Sequence, residues 1–149
     1  MKHPPIDEEK VTKLIRKIQE STERLKELKK LSLEEFLSEK DNYAICEHHL
    51  RRALEGVLSL ATHILSRLPI EKPKDYTEAL IKLGEAKVIP VSFAQKIKGM
   101  AGYRNRLVHL YWEVTPEEIY EKLQEIEDFE KFCEYILKYL KSQRNNRDR

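Results

Sequence analysis

The stretch "DNYAICEHHLRRALEGVLSLATHILSRLP", residues 41–69, decides the fold. Ile45, Cys46, His49, Leu50, Ala53, Leu54, Val57, Leu58, Ala61, Ile64, Leu65 and Leu68 recur at spacings of three and four. That period winds one apolar stripe along a helix, and no strand satisfies it. Asp41 is the expected N-cap. Pro69 and the polar "EKPKD" at 71–75 end the run.

Working outward, the pattern repeats on both sides. Asp7 is a fitting cap for a first helix, with Glu8 and Glu9 in its first turn and Val11, Leu14, Ile15, Ile18, Leu25 and Leu28 behind them. Ser21 and Thr22 interrupt that stripe, and the helix is expected to end near Lys30. Ser32-Leu33-Glu34-Glu35 is a capping box that starts a short helix with Phe36 and Leu37. Beyond 69, Asp75 or Thr77 opens a helix with Tyr76, Ala79, Leu80 and Leu83. "VIPVS" at 88–92 breaks the pattern, and Pro90 starts a run through Phe93, Ile97 and Met100. Thr115-Pro116-Glu117-Glu118 reads as cap, first helical position and box-closing acid. It leads a last helix carrying Ile119, Leu123, Ile126, Phe129, Cys133, Ile136, Leu137 and Leu140. Tyr111 and Trp112, just before it, fit a hydrophobic staple. The sequence therefore predicts an all-α, antiparallel up-and-down bundle of four to five main helices. It forms one domain over 1–149, with 142–149 a frayed basic tail.

Bulk properties agree. A chain of 149 residues is one domain by length and can bury a core without disulfide or metal. Charged residues are 36% and aromatics 8%, a composition suited to long amphipathic helices. With a net charge of only +2, any grip on nucleic acid has to be local and salt-sensitive. Cys46 and Cys133 fall at apolar helical positions and read as buried thiols in a reducing compartment. The charged opening does not read as a signal peptide. No apolar run approaches the ~20 residues of a membrane span, so the expected location is the cytoplasm.

The candidate site is "GYRNRLVHLYW", residues 102–112. From Ala86 to Trp112 there is no Asp or Glu, while Lys87, Lys96, Lys98, Arg104 and Arg106 all fall within the run. In sequence this is an anion-attracting surface. His109 is the motif side chain whose ordinary pKa, about 6.5, suits proton transfer near neutrality. Arg104 and Arg106 carry forked cations that match phosphate, Asn105 offers an amide and Tyr111 a phenol. RNA can be cut without metal, because its own 2′-OH attacks the adjacent phosphorus; a histidine and arginines cover much of the proton transfer and charge stabilisation required. A two-metal nuclease needs clustered carboxylates, which the segment lacks.

Five residues separate Arg104 from His109, about 140° on a regular helix. Either the helix ends or distorts before His109, or a second copy of the chain completes the site across a twofold axis. Taken singly, each residue also has a purely structural reading: His109 as a capping or packing group, Arg104 as an ion-pair partner. A non-catalytic helical module that holds a nucleotide or a protein in a basic dimer cleft fits the same features.

"RNRLVHLY" fits R-x-x-x-x-H-x-Y, with Arg104, His109 and Tyr111 in the defining places. In this, in its "YRNRLVHLYWEVTPEEIYE" context and in helix order, the chain resembles the HEPN superfamily, specifically the HepT-like toxins. The resemblance implies an HEPN-like dimeric bundle acting as the toxin of a type VII-like toxin–antitoxin pair. It implies a metal-independent endoribonuclease leaving 2′,3′-cyclic phosphate ends, with Arg104 and His109 catalytic and Asn105 and Arg106 supporting. It also implies silencing by AMPylation of Tyr111 by a minimal nucleotidyltransferase antitoxin. Lys96, Lys98, Arg51 and Arg52 are candidate RNA contacts. No metal or cofactor is called for: His48 and His49 in "CEHHLRR" diverge by about 100° and have no ligand partner one turn away.

Overall fold

The computed structural model describes residues 4–147. It is all-α, with no strand among the described residues. The helices are α1 (Glu8–Lys29), α2 (Leu33–Ser38), α3 (Lys40–Ser66), α4 (Tyr76–Glu85), α5 (Val91–Ile97), α6 (Met100–His109), α7 (Pro116–Lys122) and α8 (Glu127–Arg147). Single 3-10 turns cover Tyr111–Glu113 and Leu123–Glu125.

The long helix α3 is the axis of the molecule. Asp7 N–H donates to His63 Nε2 at 3.1 Å, Ser21 Oγ lies 3.1 Å from His49 Nδ1, and Ile18 abuts Gly56. Low numbers on α1 thus meet high numbers on α3, so the two run antiparallel. Helix α8 lies antiparallel along α1 in the same way, with Arg144 on Glu8 at 2.7 Å and Lys26 on Glu130 at 3.0 Å. Helix α6 crosses α3 on another side, Arg104 reaching Glu55 at 3.5 Å. Beyond it, the Tyr43 hydroxyl donates to the Val114 carbonyl at 3.3 Å. The core they share includes Val11, Ile18, Leu60, Ile64, Leu80, Leu107, Ile119 and Phe132, each at most 1% exposed.

Local chemistry explains the boundaries. Asp7 caps α1 by accepting from Lys10 N, Ser32 and Glu35 form the reciprocal box at α2, and Asp75 caps α4. Several expectations are corrected. Asp41 does not cap α3; it lies inside the first turn, and Glu39 accepts its N–H. Ser21 and Thr22 do not interrupt the apolar stripe. They are buried within it, Thr22 Oγ1 donating to the Ile18 carbonyl and Ser21 meeting His49, so their polar atoms are satisfied. The last helix is two, because the chain bends through Leu123–Glu125 before α8 begins. The helix count therefore exceeds four to five: short α2, α4, α5 and α7 serve as connectors between the long rods. Leu137, placed on the apolar stripe, is 47% exposed.

Both cysteines are buried and unbridged, and burial pushes each thiol up to about 12. Helix α8 continues through residues 142–147, with Arg144 on Glu8; residues 148–149 lie outside the described part. No helix among the described residues is long and apolar enough to cross a membrane.

Candidate functional site

Helix α6 carries the motif. Its inner face is Ala101, Tyr103 and Leu107, all buried. Its outer face is Gly102, Asn105 and His109, spaced i, i+3 and i+7 and all exposed. Leu110 leaves the helix at φ −132°, and the chain turns through Tyr111–Glu113. Tyr111 is 58% and Trp112 67% exposed, and their rings meet edge to face with centroids 5.5 Å apart. They do not staple α7, as the sequence suggested. Together with half-exposed Leu110 they form an uncovered apolar shelf beside His109.

The helix is regular through His109, since Leu110 N–H still donates to the Arg106 carbonyl at 3.0 Å. The possibility that α6 ends or distorts before His109 is thereby removed. Within one chain Arg104 and His109 point apart. Arg104 turns toward α3 and α4: its guanidinium sits 5.7 Å from the Tyr76 ring centroid, and Nη1 donates to Asn105 Oδ1 at 3.2 Å. The 3.5 Å contact with Glu55 is longer than the roughly 2.7–2.9 Å of a strong charge-assisted bond. The fork is oriented without being saturated.

Arg106 is held harder. Its Nη1 donates to Glu118 Oε1 at 2.6 Å, and this bond raises the Arg106 pKa. Glu118 was expected to close the α7 box. Thr115 does accept from Glu118 N at 3.2 Å, but the Glu118 side chain goes to Arg106 instead, with Oε2 buried and unpartnered. Arg106 therefore clamps α6 to α7 more than it faces solvent.

The acid-free run is not acid-free in space. Glu55, Glu118 and Asp128, from three other elements, pair with Arg104, Arg106 and Lys96. Lys96 meets Asp128 at 3.0 Å, which raises its pKa, and Lys98 donates to Gln95 at 3.0 Å. The Lys96 contact ties α5 to the start of α8, on the side of α6 opposite its outer face. Arg51 lies one turn before Glu55 on α3 and so shares the face toward α6. Arg52 points with His49 toward α1, where its charge helps hold the His49 pKa down, after burial and the neighbouring His48. His63 is buried; burial first, then Arg67 and Lys10, lower its pKa, and Asp7 opposes them. Among the described residues no group of three His, Cys, Asp or Glu is placed to share a metal ion.

Sequence reading missed Glu55, Glu118 and Tyr76. Glu55 was legible only as an acid on the polar face of α3, and Tyr76 was assigned to the apolar stripe of α4. Beside Tyr76 a groove of about 890 Å³ lies between the 68–77 connection, the end of α3 and α6.

A family model described as "Ribonuclease HepT-like" matches residues 18–136. A tRNA nuclease HepT of Aphanizomenon flos-aquae is 32% identical over 98 residues, covering 66% of this chain and 67% of that protein. Among solved structures, the tri-AMPylated HEPN toxin of Shewanella oneidensis, in complex with its MNT antitoxin, superposes with a TM-score of 0.75. It is 23% identical and covers 85% of this chain and 96% of that one. The cytosolic protein YutE of Bacillus subtilis, of unknown function, has a TM-score of 0.82 at 16% identity and covers 93% of both chains. At these identities the solved structures speak for the fold.

Proposed function

The chain belongs to the HepT-like ribonuclease family, and from that premise we propose that it is the toxin of a toxin–antitoxin pair, a metal-independent endoribonuclease working as a twofold dimer in the cytoplasm. Residues 1–149 act as a single HEPN domain. The observation that carries this reading is the exposed face of α6, where Asn105 and His109 run into uncovered Leu110, Tyr111 and Trp112. An apolar shelf of that kind is suited to a second subunit. With Arg104 and His109 diverging within one protomer, a twofold axis beside α6 brings two imidazoles and two Arg104 guanidinium groups around one phosphodiester.

The chemistry follows from those groups. One His109 takes the proton of the ribose 2′-OH as its oxygen attacks phosphorus. The bond to the 5′ oxygen breaks, and the partner subunit's His109 protonates that leaving oxygen. The products are a 2′,3′-cyclic phosphate and a 5′-hydroxyl. Arg104 stabilises the charge gathering on the phosphorane oxygens. Asn105 orients Arg104, and Arg106 supports the site by fixing α6 on α7. Arg51, on the α6-facing side of α3, extends the cationic path; the positions of Lys96, Lys98 and Arg52 lend no support to a role at this cut.

The off-switch uses Tyr111, two residues from His109. The partner is a minimal nucleotidyltransferase. Its reaction joins the Tyr111 oxygen to the α-phosphorus of ATP with loss of pyrophosphate. The anionic adenylyl group then occupies the arginines and the space that RNA needs. The 58% exposure of Tyr111 supports such access.

The test is direct. Wild type and His109→Ala are incubated with RNA in EDTA. Cleavage by wild type alone, with cyclic phosphate ends, is expected. Cleavage by neither, from protein whose intact mass shows no modification, leaves a non-catalytic binding module. Co-expression with the nucleotidyltransferase should add AMP mass to wild type and none to Tyr111→Phe.

A further inference from the structure

We propose that the groove between the 68–77 connection and α6 binds the single-stranded RNA flanking the cut phosphodiester, with Tyr76 as a base-stacking surface and Lys72 and Lys74 on the phosphates. This rests on the ribonuclease reading above and adds where the rest of the substrate lies.

Four observations converge. First, the groove, about 890 Å³, is of the size that holds a small organic ligand or a nucleotide or two. Gly102 and Asn105 form one of its walls. The outer face of α6 therefore runs without interruption from the groove to His109, about one turn further on. A strand reacting at His109 has this groove as its way out.

Second, Gly102 sits inside α6, where glycine costs helix stability relative to alanine. Packing does not require it, because a Cβ there would meet nothing within 4 Å. The missing side chain leaves the helix backbone open to something that is not part of this fold.

Third, Tyr76 is 39% exposed at the mouth of α4, and the Arg104 guanidinium lies over its ring. An aromatic ring backed by a cation is a suitable platform for a base of any sequence. The same contact joins the groove to the motif. Fourth, the rim charges suit a polyanion. Lys72 and Lys74 are exposed, and among the described residues neither ammonium is in an ion pair. Most acids nearby are engaged: Asp75 accepts from Glu78 N at 2.8 Å to cap α4, Glu78 pairs with Lys82 at 3.3 Å, and Glu55 faces Arg104, while exposed Glu71 beside Lys72 is in no ion pair among the described residues. An acidic peptide would match the lysines but would leave the aromatic platform and the path to His109 unused.

The test measures RNA affinity in the full-length His109→Ala chain, which cannot turn over its probe. A labelled single-stranded RNA of about ten nucleotides is titrated by anisotropy at several salt concentrations. Tyr76→Ala should weaken binding about 5- to 100-fold, while Tyr76→Phe retains it. Gly102→Leu, whose Cβ meets nothing within 4 Å, should weaken it comparably while melting no lower than the parent. Lys72→Gln with Lys74→Gln should flatten the slope of log affinity against log salt by about 1.4, two single-strand phosphate contacts. Lys30→Gln, on the far side of the molecule, should leave the slope alone. Overturning results are three: parent protein that binds no RNA, groove variants within twofold of the parent, or variants that lose only the antitoxin on co-purification. The two readings fail separately. If wild type does not cut RNA but the groove variants still lose affinity, the groove stands and the nuclease falls. If wild type cuts and the variants bind as before, the reverse holds.

Discussion

The α1–α3 seam and the outer face of α6 are built from the same kinds of residue to opposite ends. Along the seam a glycine, Gly56, lets two helices close until its missing Cβ would lie 2.6 Å from Ile18 Cγ1. Polar side chains there are few, and each that is buried finds a partner: Thr22 on Ile18, Ser21 on His49, His63 on Asp7. On α6 a glycine, Gly102, faces nothing, a histidine is exposed, and two aromatic rings remain in solvent. One region spends its sequence on a dry interface within the chain. The other withholds closure, as a surface awaiting a second molecule does.

The largest effect that separates them is a core truncation. Leu60→Ala, fully buried on α3, should cost about 2–5 kcal/mol in urea unfolding. If the loss is below about 1 kcal/mol, α3 is not the axis described here. Next come two identical glycine substitutions with opposite signs. Gly56→Ala gains helix propensity but forces Ile18, itself fully buried, out of place, for a net loss of about 1 kcal/mol. Gly102→Ala meets no neighbour and should gain up to about 1 kcal/mol. Equal signs in thermal melts would erase the contrast.

A smaller effect concerns pH. The His63 pKa is depressed in the folded state, mainly by burial, while its Nε2 accepts from Asp7 N–H. The unfolded chain therefore binds this proton more readily. The stability contribution is full above the unfolded value of about 6.5 and is lost as pH falls from there toward the folded pKa. His49, shifted the same way, adds to the trend. The urea midpoint should fall between pH 7.5 and 5.5, and fall less in His63→Gln, whose amide oxygen can still accept from Asp7. Smallest in stability is Trp112→Ala, within about 0.5 kcal/mol for a ring 67% exposed in the protomer. Its readout is association: sedimentation should show weaker self-association than wild type, as the proposed dimer requires. Unchanged association would leave the shelf without the role given to it.

Much of the fold was legible because its signals are local. The stripe at 45–68, the cap at Asp7 and the box at Ser32–Glu35 each act within a turn or two of chain, and each became a helix. The misreadings also have local causes. Glu118 sits three residues after Thr115, so it reads as a box-closing acid; only the approach of α6 offers it Arg106. Leu123–Glu125 carries no helix breaker, and the bend there belongs to packing.

The candidate site divides the same way. The chain alone determined that Arg104, Asn105, Arg106, His109 and Tyr111 would lie close along the chain, and that the helix bearing the first four would have two unlike faces, because helical geometry fixes directions over a few residues. It could not say which acids come to meet the cations, since Glu55, Glu118 and Asp128 are distant in sequence or on other elements, and pairing at 3 Å depends on how rods cross. Nor could it say that Lys96 is spent on α8, or that a groove opens beside Gly102. Charge and periodicity are written along the chain, but electrostatic neighbours and empty space exist only after the helices have packed.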